Sequence, residues 1–389
     1  MKLNFPFAVF KKTKGFLALD IGTEAVKALV FKKEGRKIII LGSSLEYFDR
    51  FGVFEGITFE TDVMKKAISS VVLKAKKESG TKFDSFFLSL PADIFWSKTF
   101  SHQFKRETRS KISKTEEDQI YKKILEKTEK RILQTAQSNS GLLPRDVQLD
   151  LKMLNIKIDG YKVDRILNFE GQTLEFEILA SFLPKHYLKG INEIFHNLDL
   201  KLLKISNLAE NLHYLFESRK EQGIFIDIGG DVTQVFLVKE GRINQIFEFD
   251  IGGRFFSKSL SKRFGLTERL AREMKERYAK RNFSEESRKR IREILSPGVQ
   301  KWFFNLKSRL REERFLLPSS IVLFGGGSLL PDIQTVLKRG SWTELPFIAK
   351  PGVRTIFPKD LANIDDRTHS LTSPQNIPAI LICFFSSFK

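Results

Sequence analysis

The stretch Leu19-Asp20-Ile21-Gly22-Thr23 returns about half the chain later as Ile226-Asp227-Ile228-Gly229-Gly230. Each copy closes an apolar run, residues 16–20 and 224–228. Each is followed by a second apolar run, a Glu-Gly turn (Glu34-Gly35 and Glu240-Gly241) and a third strand pattern. One Asp-Ile-Gly is an ordinary turn, because Asp and Gly are standard turn residues. Two copies with the same Asp, the same Gly and the same downstream turn are an internal duplication. The repeat predicts two similar halves, each opening with strand, glycine turn, strand, turn, strand.

Outward from the first copy, residues 61–79 read as a helix. Val63, Ala67, Ile68, Val71, Val72 and Ala75 share one face at helical spacing, Thr61 suits the start, and Gly80 suits the C-terminal cap. A strand is predicted at 83–90. From about 91 to 184 the character changes: a charged helix at about 116–136, a polar loop at 137–141, strands around the Asp159-Gly160 turn, and a strand at 174–181. This is a small α+β unit placed inside the first half. A helix within 205–217 leads back to the second copy. Residues 254–314 are mostly helical and hold 19 Lys/Arg against 8 Glu, a net charge of +11. A strand at 321–324, the loop Gly325-Gly326-Gly327-Ser328, a helix at 329–339 and a last helix at about 374–385 complete the chain. The expected division is 1–90 and 185–221 for the first half, with 91–184 inserted. Residues 222–253 and 320–389 form the second half, with the basic helical unit 254–319 between them.

A chain of 389 residues exceeds one ordinary core. An apolar fraction of 41% is that of a folded globular protein. The formal charge of +19 points to acidic partners: nucleic acid, anionic lipid, an acidic peptide or nucleotide phosphates. No aromatic-interleaved basic motif is present, so nucleic acid is the disfavoured choice. Cys383 is the single cysteine, which excludes an intrachain disulfide or a cysteine zinc site and suits a reducing cytoplasm. The five histidines lack metal-ligand spacing, and no serine has a recognisable His/Asp partnership. No apolar run reaches the roughly 18–20 residues that span a bilayer. Residues 1–14 place an apolar piece before Lys11, Lys12 and Lys14, the reverse of a signal peptide. They read as a loose tail or as a weak contact with a membrane surface.

The repeated turns suit one chemistry. Glycines let backbone N–H groups approach an anion with no Cβ in the way, and a tight turn aims several at one place. Thr23 or Thr233 can add a hydroxyl. Asp20 and Asp227, at the strand ends, can hold Mg²⁺ through its water shell, since Mg²⁺ often takes only one or two carboxylates plus phosphates. The glycine loop at 325–328 lies between a strand and a helix, where backbone can pack against a nucleotide. It is neither a Rossmann nor a Walker pattern.

On these motifs the chain resembles the actin/sugar-kinase/chaperone ATPase superfamily, and within it the FtsA and PilM proteins, FtsA foremost. The first phosphate motif is matched by Asp20, Gly22 and Thr23 with Val26 and Lys27. The second is matched by Asp227, Gly229, Gly230 and Thr233, and the adenosine motif by Gly325, Gly326, Gly327 and Ser328 with Leu330 and Pro331. Asp250-Ile251-Gly252-Gly253 matches the segment after the second hairpin, and Lys275 the nucleoside-contacting helix. The unit at 91–184 stands where FtsA and PilM carry a small subdomain, and Ile156-Lys157-Ile158-Asp159-Gly160-Tyr161 resembles the FtsA pattern there.

The resemblance implies an α/β actin-like ATPase fold of two duplicated mixed-sheet domains with an inserted α+β subdomain. It implies ATP and Mg²⁺ as ligands. Gly22, Thr23, Lys27, Gly229, Gly230 and Thr233 would hold phosphates; Lys275 and residues 325–328 would hold adenosine; Asp20 and Asp227 would hold Mg²⁺ through water. It further implies a cytoplasmic scaffold, peripheral to the inner face of the cell membrane, which self-associates into filaments or dimers. An FtsA-like protein would dock an FtsZ-like tail peptide at 254–314; a PilM-like pilus adaptor would bind a PilN-type peptide. An anionic membrane surface is a further implied partner. Departures from the pattern are Asp231 for a third Gly, Gln234 for an Asp, Ser206 for a water-positioning Glu or Gln, and Arg272 for an acid, with Glu273 one place off. The chain also stops at the apolar close of its last helix, without FtsA's membrane-binding segment. These departures weigh against rapid hydrolysis more than against binding, and leave the catalytic residues and any weak ATPase activity unassigned.

Overall fold

A computed structural model describes residues 15–48, 61–140, 146–198, 200–218 and 220–387. The segment 1–14, read above as a tail or membrane contact, lies outside them. In chain order come β1 (Gly15–Ile21), β2 (Ala25–Glu34), β3 (Lys37–Tyr47), α1 (Thr61–Ser79) and β4 (Phe83–Ser89). The inserted unit holds β5 (Trp96–Lys105), α2 (Lys114–Ser140), β6 (Val147–Ile158), β7 (Tyr161–Val163) and β8 (Thr173–Pro184). Then follow α3 (Lys185–Phe195), β9 (Lys201–Ser206) and the short α4 (Leu208–Asn211). The second triplet is β10 (Gly223–Ile228), β11 (Thr233–Lys239) and β12 (Arg242–Phe249). After it come α5 (Gly253–Phe264), α6 (Glu268–Ala279) and α7 (Glu285–Arg311). The chain closes with β13 (Ser320–Phe324), α8 (Pro331–Arg339), β14 (Gly352–Thr355), β15 (Ile364–Asp366) and α9 (Ile377–Cys383).

The duplication is visible in the sheets. One is ordered β15-β3-β2-β1-β4-β9, the other β12-β11-β10-β13-β14. In both, an antiparallel triplet is extended by parallel strands. The cores stack in layers. α1 and α3 cover one face of the first sheet through Met64, Ile68, Val71 and Ile191. α5, α7 and α8 cover the far face of the second through Phe256, Trp302 and Ile333. Between the sheets, Phe31 and Phe87 of the first and Phe225 and Phe236 of the second pack about α4 and α9. The inserted unit is a four-stranded sheet, β5-β8-β6-β7, with α2 on one face through Ile120 and Ile124. Its edge reaches the second half: Thr99 Oγ1 donates to the Asn244 carbonyl at 2.8 Å.

Three expectations shift. The residues predicted as a loop at 137–141 are helical to Ser140, because no helix breaker occurs before Gly141. Of the helix expected at 205–217, Ile205 and Ser206 are instead the end of strand β9, paired in parallel with β4. Helix begins only after Asn207, whose side chain accepts from the Glu210 N–H at 3.3 Å as an N-cap. Residues 320–389 do not all belong to the second half. β15 pairs with β3, and the wholly apolar α9 is buried against both sheets.

Candidate functional site

The two hairpins meet tip to tip at a cavity between the halves. Their turns are built alike: Gly22 N–H donates to the Ala25 carbonyl at 2.9 Å, and Gly229 N–H to the Val232 carbonyl at 3.0 Å. In the ladders Asp20 faces Lys27, and Asp227 faces Gln234. The chemistry at those matched positions differs. Lys27 Nζ lies 2.8 Å from Asp20 Oδ2. Gln234 offers no charge, and Asp227 Oδ1 is sealed from solvent without a hydrogen-bond partner. Burial pushes the Asp227 carboxyl up to about 7, with Lys27 opposing the shift and Asp20 adding to it.

Glu24 Oε1 and Asp93 Oδ1 are also sealed and unpartnered, and both residues line the same cavity. Burial and then the Asp231 charge push Asp93 up to about 7. An unpaired buried carboxylate oxygen is costly unless a cation or donor reaches it. Three of them around one cavity, beside glycine N–H groups and one lysine, form a polar cradle suited to a cation carried on an anion. Among the described residues no group of three or more His, Cys, Asp or Glu is arranged to hold a metal by itself. Asp20 and Asp227 fit a Mg²⁺ held chiefly by water and by the phosphates it accompanies.

Of the residues expected to bind phosphate, Gly22, Thr23, Lys27, Gly229 and Gly230 line this cavity. Thr233 does not. Side chains alternate along a strand, so with Gln234 facing the cavity Thr233 points into the opposite layer. There its hydroxyl donates to the Ile251 carbonyl at 2.6 Å and accepts from Trp302 Nε1 at 2.9 Å. Of the residues expected to bind adenosine, Gly325, Gly326 and Gly327 line the cavity. Gly325 has φ +80°, and a Cβ there would run into Asp227 Oδ1, so the loop can close on the second hairpin only with glycine. Ser328 is fully buried behind it and donates to the Gly325 carbonyl at 2.7 Å, shaping the turn. Lys275 is not among the lining residues; its buried ammonium donates to the Gly253 carbonyl at 2.9 Å and lies 3.8 Å from Glu24 Oε2, a residue that does line the cavity.

Several site residues were not found by sequence reading. Asp231, noted only as a departure, accepts from Arg254 Nη1 at 2.7 Å, while its N–H donates to Thr23 Oγ1 at 3.0 Å. Arg254 Nη2 also donates to the Thr23 carbonyl. The departure is thus a clasp between the hairpins. The first amides of α5 are taken as well: Gly253 and Arg254 N–H groups donate to the carbonyls of Gly229 and Gly230, each at 2.8 Å. Tyr47 lines the cavity, with its hydroxyl 3.3 Å from Gln375 Oε1. Ser206, at the position read as lacking a water-positioning side chain, is buried, and its hydroxyl faces the Leu88 carbonyl at 3.4 Å. Its neighbour Asn207 ties the inserted unit down, donating to Ser97 and Ser181 hydroxyls at 2.5 and 3.0 Å.

Duplicated sheets, facing glycine hairpins and a third glycine loop define an actin-like ATPase fold. No family model matches the chain. The cell division protein FtsA of Streptococcus pneumoniae serotype 2 strain D39 is 25% identical over 339 residues, covering 81% of this chain and 71% of that protein. FtsA of Pseudomonas aeruginosa is 22% identical over 348 residues, with coverages of 81% and 78%. The PilM-PilN type IV pilus biogenesis complex contains a similar fold, with TM-score 0.71, 17% identity and coverages of 96% and 98%. The ethanolamine utilization protein EutJ from Carboxydothermus hydrogenoformans aligns with TM-score 0.52, 13% identity and coverages of 97% and 91%. Within the actin-like class the chain is similar to the FtsA proteins in sequence and to the PilM complex in fold.

Proposed function

We propose that the chain binds Mg-ATP in the cavity between the hairpins and works as an FtsA-like scaffold. The carrying observation is Asp227 Oδ1, buried and unpartnered where both glycine turns and Lys27 converge. Gly22, Thr23, Lys27, Gly229 and Gly230 would take the phosphates; Gly325, Gly326 and Gly327, assisted by Lys275, would take the nucleoside. Bound Mg²⁺ supplies charge neutralisation between phosphate and the carboxylates of Asp20 and Asp227. Hydrolysis would be slow or absent, since Ser206 and Asn207 are committed to packing contacts.

In this reading the scaffold links an FtsZ-like filament to the membrane, docks its tail peptide on the basic span 254–314, and self-associates. It would sit in the cytoplasm, peripheral to an anionic inner membrane face. No helix among the described residues is long and apolar enough to cross a membrane. The sequence relatives named above are cell division proteins, which supports this role. A second reading, a pilus-assembly adaptor binding a PilN-type peptide, is favoured by the fold match over 96% of the chain.

Calorimetry with Mg-ATP at near-millimolar protein and ligand tests the site; absence of binding removes it. Pull-down with an FtsZ tail peptide against a PilN N-terminal peptide separates the two roles.

A further inference from the structure

The basic helical unit turns three cations inward. Arg254 on α5 and Arg272 and Lys275 on α6 are only 3%, 7% and 7% exposed. Each reaches the first half of the chain: Arg254 the Thr23 carbonyl, Arg272 Nη1 the Phe48 carbonyl at 3.1 Å, and Lys275 the Glu24 carboxylate. Burying a cation costs desolvation, so these positions are not a solvated helical face.

Arg272 has a second contact. Its guanidinium carbon lies 4.1 Å from the centroid of the Tyr47 ring. A planar guanidinium stacks on an aromatic face, and the attraction grows as water is excluded. Tyr47 is itself a wall of the cavity, and its hydroxyl meets Gln375, which approaches Gly326 of the glycine loop. Arg272 therefore lies as a bar across the outside of that wall, joining α6 to the end of β3.

We propose that Arg272 and Tyr47 form a gate on the nucleoside side of the cavity, and that bound nucleotide exchanges only when α6 swings away from β3. This rests on the nucleotide reading above and adds its regulation. A gate that is shut most of the time slows arrival and departure alike. Weakening it raises both rates while the dissociation constant moves much less.

The test is release of methylanthraniloyl-ADP, chased with unlabelled ADP in a stopped-flow instrument, from the full chain and from Arg272→Ala and Tyr47→Leu. Release should accelerate about tenfold in each, the size of one lost cation–π contact and hydrogen bond, with a smaller change in affinity. Arg272→Lys keeps the charge but loses the stack and should fall between. Thermal melts establish that the variants are folded, and Arg269→Ala, an exposed α6 change on the Glu273 side of that helix, should release at the wild-type rate. Wild-type release rates in folded Arg272→Ala and Tyr47→Leu, with only a lowered melting temperature, would show a static staple and overturn the gate. Failure of the wild-type chain to bind the probe overturns the nucleotide reading and the gate with it.

Discussion

Lys27 stands directly opposite Asp20 in the β1–β2 ladder, and its ammonium lies 2.8 Å from the Asp20 carboxylate. The lysine neutralises one of the two cavity aspartates and lines the cavity together with the glycine turns. Lys27→Ala should therefore weaken nucleotide binding about ten- to hundredfold, the value of a charge-assisted hydrogen bond. Isothermal titration reads this directly; an unchanged dissociation constant would remove Lys27 from the phosphate site.

Asp227 has the opposite balance, because its matched partner is the neutral Gln234. Its unpaired Oδ1 makes the ligand-free fold less stable than it could be. Asp227→Asn should raise the ligand-free melting temperature, or the unfolding free energy by about 1 kcal/mol. The same change should abolish the Mg²⁺-dependent part of nucleotide affinity. Titrations with and without Mg²⁺ would then coincide, and a variant that kept its Mg²⁺ dependence would contradict the assignment.

Thr233 is a structural residue, with its hydroxyl bonded to Ile251 and Trp302. Thr233→Val leaves a buried carbonyl and an indole N–H without their partner. The expected cost is about 1–3 kcal/mol of stability, seen in urea melts, with nucleotide affinity of the folded protein unaltered. A loss of affinity without a loss of stability would return Thr233 to the phosphate site.

The junction between the inserted unit and the second half is acid-rich. Burial, reinforced by Asp93 and Asp250, pushes Glu248 up to about 7, against Lys98 and Arg309. Burial, reinforced by Asp231, does the same to Asp93. Both folded values exceed the unfolded ones of about 4. The native state therefore holds protons that the unfolded chain releases, and their stabilisation is full below pH ~4 and lost as pH rises to ~7. Melting temperature should fall across that window. Glu248→Gln should flatten the fall and melt higher than wild type at pH ~8 by ~1–3 °C. Equal slopes in the two proteins would exclude Glu248 as a cause.

Much of the architecture was legible locally. The Asp-Ile-Gly turns, the one-sided apolar face of α1, the Asp159-Gly160 hairpin and the glycine loop at 325–327 are set by short-range geometry: turn chemistry, helical periodicity and the need for φ above zero. These sufficed for the duplicated plan and for the glycines and aspartates that line the cavity. Tertiary structure alone decided the rest. Asp231 and Thr23 are 208 residues apart, Arg254 and Thr23 231, Arg272 and Phe48 224. No local pattern encodes such pairs, because each residue's partner is supplied by the other half of the duplication. The same holds for Thr233, whose strand phase turned its hydroxyl away from the cavity, and for α9, whose apolar surface is equally at home against either sheet until both are in place. The sequence by itself determined that two matching Asp-Ile-Gly hairpins exist. The folded chain decided that they are clasped by Asp231 and Arg254 and barred by Arg272.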